Sequence, residues 1–199
     1  MQRSLSAVLF ALVLSAGCPA TATDLATDDG VRAAYKKATG DELNAEHGCI
    51  GRTGVKDVIV VGDFAYDRGC IMSGGFVGGA WLDTATLTAT GPSKLGWATM
   101  DSKARADFAL RWAEKVLFHW DGSFVPADNK AFTFEDTPAY TAPAAVAKGD
   151  GVVVTFWIEE PPGMQDRDVF DQIELTFDAK GAVTRASKAG FAVDGARLR

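Results

Sequence analysis

The stretch SKARADFALRWAEKVLFHW, residues 102–120, decides the architecture. At 100° per residue Phe108, Ala109, Trp112, Ala113, Val116, Leu117 and Trp120 cover one wide face, while Lys103, Asp107, Arg111, Glu114 and Lys115 gather on the other. Asp101 stands at the N-cap position. An amphipathic helix of this length must bury its apolar stripe against a partner. The segments before and after it have the period of strands.

Upstream, the β-branched run Val58-Ile59-Val60-Val61 continues through Phe64 to Tyr66, and Asp67-Arg68-Gly69 turns it into Cys70, Ile71 and Met72. Gly78-Gly79, between Phe76-Val77 and Ala80-Trp81, has the two-residue spacing of a tight primed turn. Alternating Thr84, Thr86, Thr88 and Ala85, Leu87, Ala89 then predict a further strand that completes a meander, closed by Gly91-Pro92.

Downstream, a loop over 121–150 with a short strand at Ala131 to Phe134 leads to Val152–Glu159, an apolar run expected to be buried on both faces. The next strand sets Ile173, Leu175 and Phe177 inward against Gln172, Glu174 and Thr176 outward. Asp178-Ala179-Lys180-Gly181 turns it into Val183 to Lys188. Near the start, Val31, Ala34, Tyr35 and Ala38 mark a short helix capped by Asp28 or Asp29 and stopped by Gly40. The expected fold is α+β: an antiparallel sheet, meander plus C-terminal hairpin strands, packed on one long helix, with a short N-terminal helix.

The first residues read as a secretion signal, with Arg3, an apolar run from Leu5 to Leu14, then small residues. That run is too short to cross a bilayer as a helix, which takes about 20 residues. The expected organisation is a signal peptide over 1–22 and a single exported domain over 23–199, with 23–29 as a flexible lead-in. Two processing sites compete. Ala20-Thr21-Ala22 is a small-residue site that would release a soluble chain from Thr23, in the periplasm or outside the cell. Leu14-Ser15-Ala16-Gly17-Cys18 resembles the lipobox of bacterial lipoproteins, with Ser15 where that pattern has Leu, Val or Ile, and implies a lipid anchor on Cys18. Under either processing Cys49 and Cys70 remain as a pair, which predicts a disulfide in an oxidising compartment.

The chain is 47% hydrophobic and 23% charged, the composition of a globular protein, and long enough to fold without a cofactor. Its net charge is −6, and the leader holds a single basic residue and no acidic one, so the mature chain is more acidic still. That sign disfavours nucleic acid, whose binding rests on neutralising phosphate, and a polybasic membrane contact. No G-x-S-x-G, P-loop or Rossmann fingerprint occurs.

The remaining candidates each have a functional and a structural side. Glu46-His47-Gly48-Cys49 brings an acid, a base and a thiol within four residues, and with Cys70 and His119 would supply Cys2His2 zinc ligands, although a disulfide competes for both sulfurs. His119 falls at the rim of the apolar helix face, as a backbone-bonded boundary residue or a general base. Glu159, Glu160, Asp166, Asp168 and Asp171 flank Pro161-Pro162-Gly163, a solvated acidic loop or a cation site. Asp63 interrupts an apolar strand, so it points to solvent or pairs with a base such as Arg68. Trp81 and Trp97, beside glycine-rich turns, are candidates for an exposed binding surface, with core packing as the alternative. Two functions are expected from these features. One is a non-catalytic periplasmic or surface-anchored binding protein, of inhibitor or immunity type, docking a protein or cell-envelope ligand. The other is a cell-envelope hydrolase acting on glycan or peptide through carboxylates and His119.

Overall fold

The structure is a computed structural model that describes residues 20–21, 24–65, 69–120, 142–159 and 168–193. Apart from Ala20 and Thr21, the expected signal segment, Cys18 included, lies outside the described residues, as do Arg68 and the expected strand at Ala131 to Phe134.

Among the described residues, eight strands form two antiparallel four-stranded meanders rather than the single sheet expected. The first is β1 (Gly48–Arg52), β2 (Val58–Ala65), β3 (Gly69–Val77) and β4 (Ala80–Asp83). The second is β5 (Ala144–Lys148), β6 (Gly151–Glu159), β7 (Asp168–Phe177) and β8 (Val183–Val193). Helix α1 (Asp28–Thr39) precedes them, and α2 (Thr84–Lys94) and α3 (Ser102–Trp112) connect them.

Helix α2 stands where the alternating threonines predict a strand, and it is why the sheet divides. Asp83 caps it, accepting from the Thr86 amide at 2.8 Å, and that bond holds the Asp83 carboxyl below the usual carboxylate range. Thr88 and Thr90 turn their hydroxyls onto the carbonyls of Thr84 and Thr86, both at 2.8 Å. Leu87 and Gly91, four apart, supply the buried face. Once Thr84–Ala89 is helical, it no longer extends the first meander and instead touches both sheets, at β3, β4 and β8.

The first sheet is covered on both sides, which is why β2 reads as a continuous apolar run. Val58 and Val60 face the large core that holds α2, α3 and the second sheet. Val61 and Phe76 face a smaller cluster with Leu25, Leu43 and the Val31, Ala34 and Tyr35 stripe of α1. Thr27, rather than Asp28 or Asp29, caps α1, accepting from the Gly30 amide at 3.1 Å. The second sheet turns Val152, Val154, Phe156, Ile173, Leu175 and Phe177 into the large core, as the alternation in β7 predicts.

The expected long helix is α-helical only to Trp112, and Ala113–Leu117 form a turn of π-helix, with the Phe118 amide bonded to the Ala113 carbonyl at 3.1 Å. The wider turn shifts the phase of the residues after it. Phe118 is buried, against Phe156 at 5.1 Å between ring centroids, while Leu117 and Trp120 are only half-buried. Trp112 is fully buried, and its indole lies against Gly91, where any Cβ would collide with the ring.

The disulfide joins Cys49 and Cys70, with their Cα atoms 6.0 Å apart. Cys49 lies opposite Gly62 and Cys70 opposite Phe64, so the bridge clips edge strand β1 to β3 past β2, beside a bulge at Val61/Gly62. Cys70→Ser should lower stability by about 3 kcal/mol, the loop-closure value for this separation, read as a fall in Tm. Trp112→Ala should cost about 3 to 5 kcal/mol in chemical denaturation. The Trp112 indole nitrogen has no hydrogen-bond partner among the described residues, so Trp112→Phe, which removes a buried unpaired donor, should cost much less.

Candidate functional site

A cleft of about 510 Å³ opens at the end of the first sheet remote from the disulfide. The β1–β2 loop over 53–57 makes one wall and the Gly78-Gly79 turn the other, with Val58 and Ile59 at the strand end and Leu25, Ala26, Arg52 and Ala20 completing the lining. Its shape is set by hydrogen bonds. The buried Thr53 hydroxyl donates to the Val58 carbonyl at 3.0 Å and accepts from the Val55 amide at 3.1 Å, closing the loop on itself. The Asp57 carbonyl accepts from the Gly78 amide at 2.9 Å and ties the two walls together. Asp57 adopts φ 61°, a left-handed conformation uncommon outside glycine that Asp tolerates better than most residues. Arg52 spans the mouth, donating to the Leu25 carbonyl at 3.2 Å and pairing with Asp28 at 3.0 Å.

Residues 20–29, expected as a flexible lead-in from residue 23 on, are part of this construction where they are described. Leu25 is buried, and the Thr21 amide and hydroxyl both donate to the Asp24 carboxylate, at 2.8 and 2.7 Å, which pulls that carboxyl below its ordinary range. Ala20 donates its amide to the Gly79 carbonyl at 2.8 Å. Local polar bonding of this kind leaves no hydrophobic period, so only the Gly78-Gly79 turn of this site is legible in the sequence.

The residues singled out by sequence fall elsewhere. Trp97 is not an exposed surface residue: it is 0% exposed, stacked on Phe177 at 5.3 Å and edge-on to Phe108 at 6.1 Å, with its indole nitrogen donating to the Asp178 carbonyl at 3.0 Å. Its neighbouring Gly96 marks a helix entry rather than a surface loop. Trp81 is half-buried, edge-on to Tyr35 at 5.0 Å and to Phe76 at 5.2 Å, in the cluster beneath α1. Cys49 and Cys70 spend their sulfurs on each other, so neither is a thiolate nucleophile or a zinc ligand. Asp63 is exposed and accepts from the Ser73 hydroxyl at 3.1 Å. Of the acidic group, Glu160 and Asp166 lie outside the described residues, and only the strand backbone of Glu159 and Asp168 is described. Among the described residues no three His, Cys, Asp or Glu side chains are grouped to hold a metal ion, and no helix is long and apolar enough to cross a membrane.

His119 is not among the residues that line the cleft, although it lies on Gly51, next in β1 to Arg52. Its Nδ1 is 3.1 Å from the Lys115 carbonyl, and its ring rests on Gly51, where an added Cβ would strike the imidazole. Partial burial pushes its pKa below the ordinary imidazole range, against a smaller upward pull from the Lys115 carbonyl. The folded state therefore binds the proton less readily than the unfolded chain. Stability is fully present above the unfolded value near 6.5 and falls as pH drops through that value toward the folded one. Tm measured between pH 7.5 and 5 should decline toward acid, and His119→Gln should flatten the decline.

The chain matches no known family model, no curated protein and no solved structure.

Proposed function

We propose that this is an exported, non-catalytic binding protein of the cell envelope, of inhibitor or immunity type, and that it docks a protein partner at the cleft. The observation that carries this reading is the cleft itself. Its two walls are joined by the Asp57–Gly78 bond and its mouth is spanned by the Arg52–Asp28 pair, so it is formed before a ligand arrives. Its lining is mostly apolar, with a few fixed polar groups and main-chain atoms, and its volume lies within the range of ligand sites.

A disulfide suits an oxidising compartment, and the order of residues in the leader suits export. On this reading the mature chain works in the periplasm or outside the cell, either free from Thr23 or held by lipid on Cys18. A hydrolase of glycan or peptide would need His119 beside a carboxylate in a cleft. This cleft is lined by Asp57 and Arg52 and not by His119.

Site-specific photo-crosslinking in the native envelope tests the reading. A photoreactive residue at Ala26, on the exposed rim of the cleft, should give one discrete protein adduct, while the same group at Lys103, at the exposed start of α3, should give none. Absence of an adduct from Ala26, together with a glycan- or peptide-cleaving activity abolished by His119→Gln at unchanged Tm, would replace the binding protein by the hydrolase.

A further inference from the structure

Ala20 makes one wall of the cleft and bonds to the Gly78-Gly79 turn as an extended ligand would. The contact is mainly through the backbone: the Ala20 amide donates to the Gly79 carbonyl at 2.8 Å, and the Ala20 methyl packs against the cluster that contains Leu25, Val61 and Phe76. Gly79 makes this approach feasible. It has φ 81°, and a Cβ built on it would collide with the Ala20 carbonyl, so the turn leaves open the corridor through which a second main chain passes. The segment is held down from behind, because the Leu25 amide donates to the Thr21 carbonyl at 3.2 Å and Asp24 holds the Thr21 amide and hydroxyl.

The small-residue processing site ends at Ala22, so cleavage there removes both residues. The mature chain would keep Leu25, Gly79 and the other cleft walls but lose the wall that Ala20 makes. The Gly79 carbonyl would then lack its donor, beside an apolar surface freshly open to water.

We infer that the cleft of the mature protein accepts an extended polypeptide segment along Gly79, with an apolar side chain in the place of the Ala20 methyl, and that Ala20 holds this place until processing after Ala22 vacates it. A main-chain donor to the Gly79 carbonyl supplies the register, as in recognition by strand addition. Arg52 at the mouth is already paired with Asp28, so its charge does not select an acidic ligand. A precursor whose Gly79 carbonyl is taken by its own Ala20 would not bind the partner before export. The inference rests on the proposed export and cleavage, and it names the ligand chemistry of the proposed docking site.

The test uses protein purified from the native envelope. Intact mass should place its N-terminus at Thr23. The probe is the acetylated, amidated tetrapeptide of residues 19–22, titrated into isotopically labelled protein and followed by amide NMR. Saturable shifts are expected at Leu25, Gly78 and Gly79, and the same peptide carrying Ala20→Pro, which lacks the donating N–H, should bind at least tenfold more weakly. A mass showing that Ala20 is retained, as with a lipidated Cys18, would overturn the inference because the Gly79 carbonyl would stay taken. So would a Thr23 terminus with no saturable shift, or with equal binding of the two peptides. In those cases an adduct from Ala26 in the envelope would still uphold a docking protein, and its absence would remove that reading separately.

Discussion

The fold depends on the contact between Trp112 and Gly91. Helices α2 and α3 come close enough for the indole to lie on bare backbone, and the two sheets meet around that pair. Leu87 and Phe108 flank it, and Phe108 stacks on the indole at 5.8 Å between centroids. Burying three large side chains here contributes roughly 2 kcal/mol or more from each, and a methyl at position 91 would force the helices apart. Each sheet pairs its own neighbouring strands within a meander. What makes the two meanders share one core is this helical layer, and the layer closes only if position 91 is glycine.

The parts of the fold that are legible in the sequence are those with one buried face. Strand β7 alternates because Thr176 meets water while Ile173, Leu175 and Phe177 enter the core. The turn at Asp178–Gly181 is legible for a local reason: the Asp178 carboxylate accepts from the Lys180 and Ala182 amides, at 2.8 and 2.9 Å, and Gly181 takes the left-handed position. Thr84–Ala89 misleads because a β-branched residue at every second position satisfies the strand pattern, while the deciding signals are weaker ones. Asp83 caps, the threonine hydroxyls find carbonyls one turn back, and Leu87 recurs at Gly91 with a spacing of four. The end of α3 misleads differently, since a single π-turn displaces every later side chain and periodicity cannot foresee where a helix widens.

The candidate site is less legible than the fold, and for a related reason. Sequence reading favours unusual residues, so it points to tryptophans, histidines and a run of carboxylates. Trp97 is core because its rings find Phe177 and Phe108, and its one polar atom finds the Asp178 carbonyl. The cleft, by contrast, is made by ordinary groups: a threonine hydroxyl, an aspartate held at φ 61°, and the carbonyls of Leu25 and Gly79. Main-chain atoms carry no residue signature, and only the Gly78-Gly79 pair announces that one is needed there.

The first sheet separates rigidity from access along its strands. At one end the Cys49–Cys70 bridge ties β1 and β3 together past the bulge in β2, and Trp120 covers Gly62 nearby. At the other end the same strands finish in Arg52, Val58 and Val77, where the loop walls of the cleft begin. Fraying of edge strand β1, which would widen the cleft by carrying Arg52 and Thr53 away, is resisted from the far end by the covalent link. It is resisted from the near end only by hydrogen bonds and the exposed Arg52–Asp28 pair, and exposed pairs are worth about 0–1 kcal/mol. The cleft end is therefore the one at which β1 is held without a covalent link. A ligand that bonds to the Gly79 carbonyl and packs on Leu25 would add contacts at the end that has no covalent link, leaving the Trp112–Gly91 core untouched.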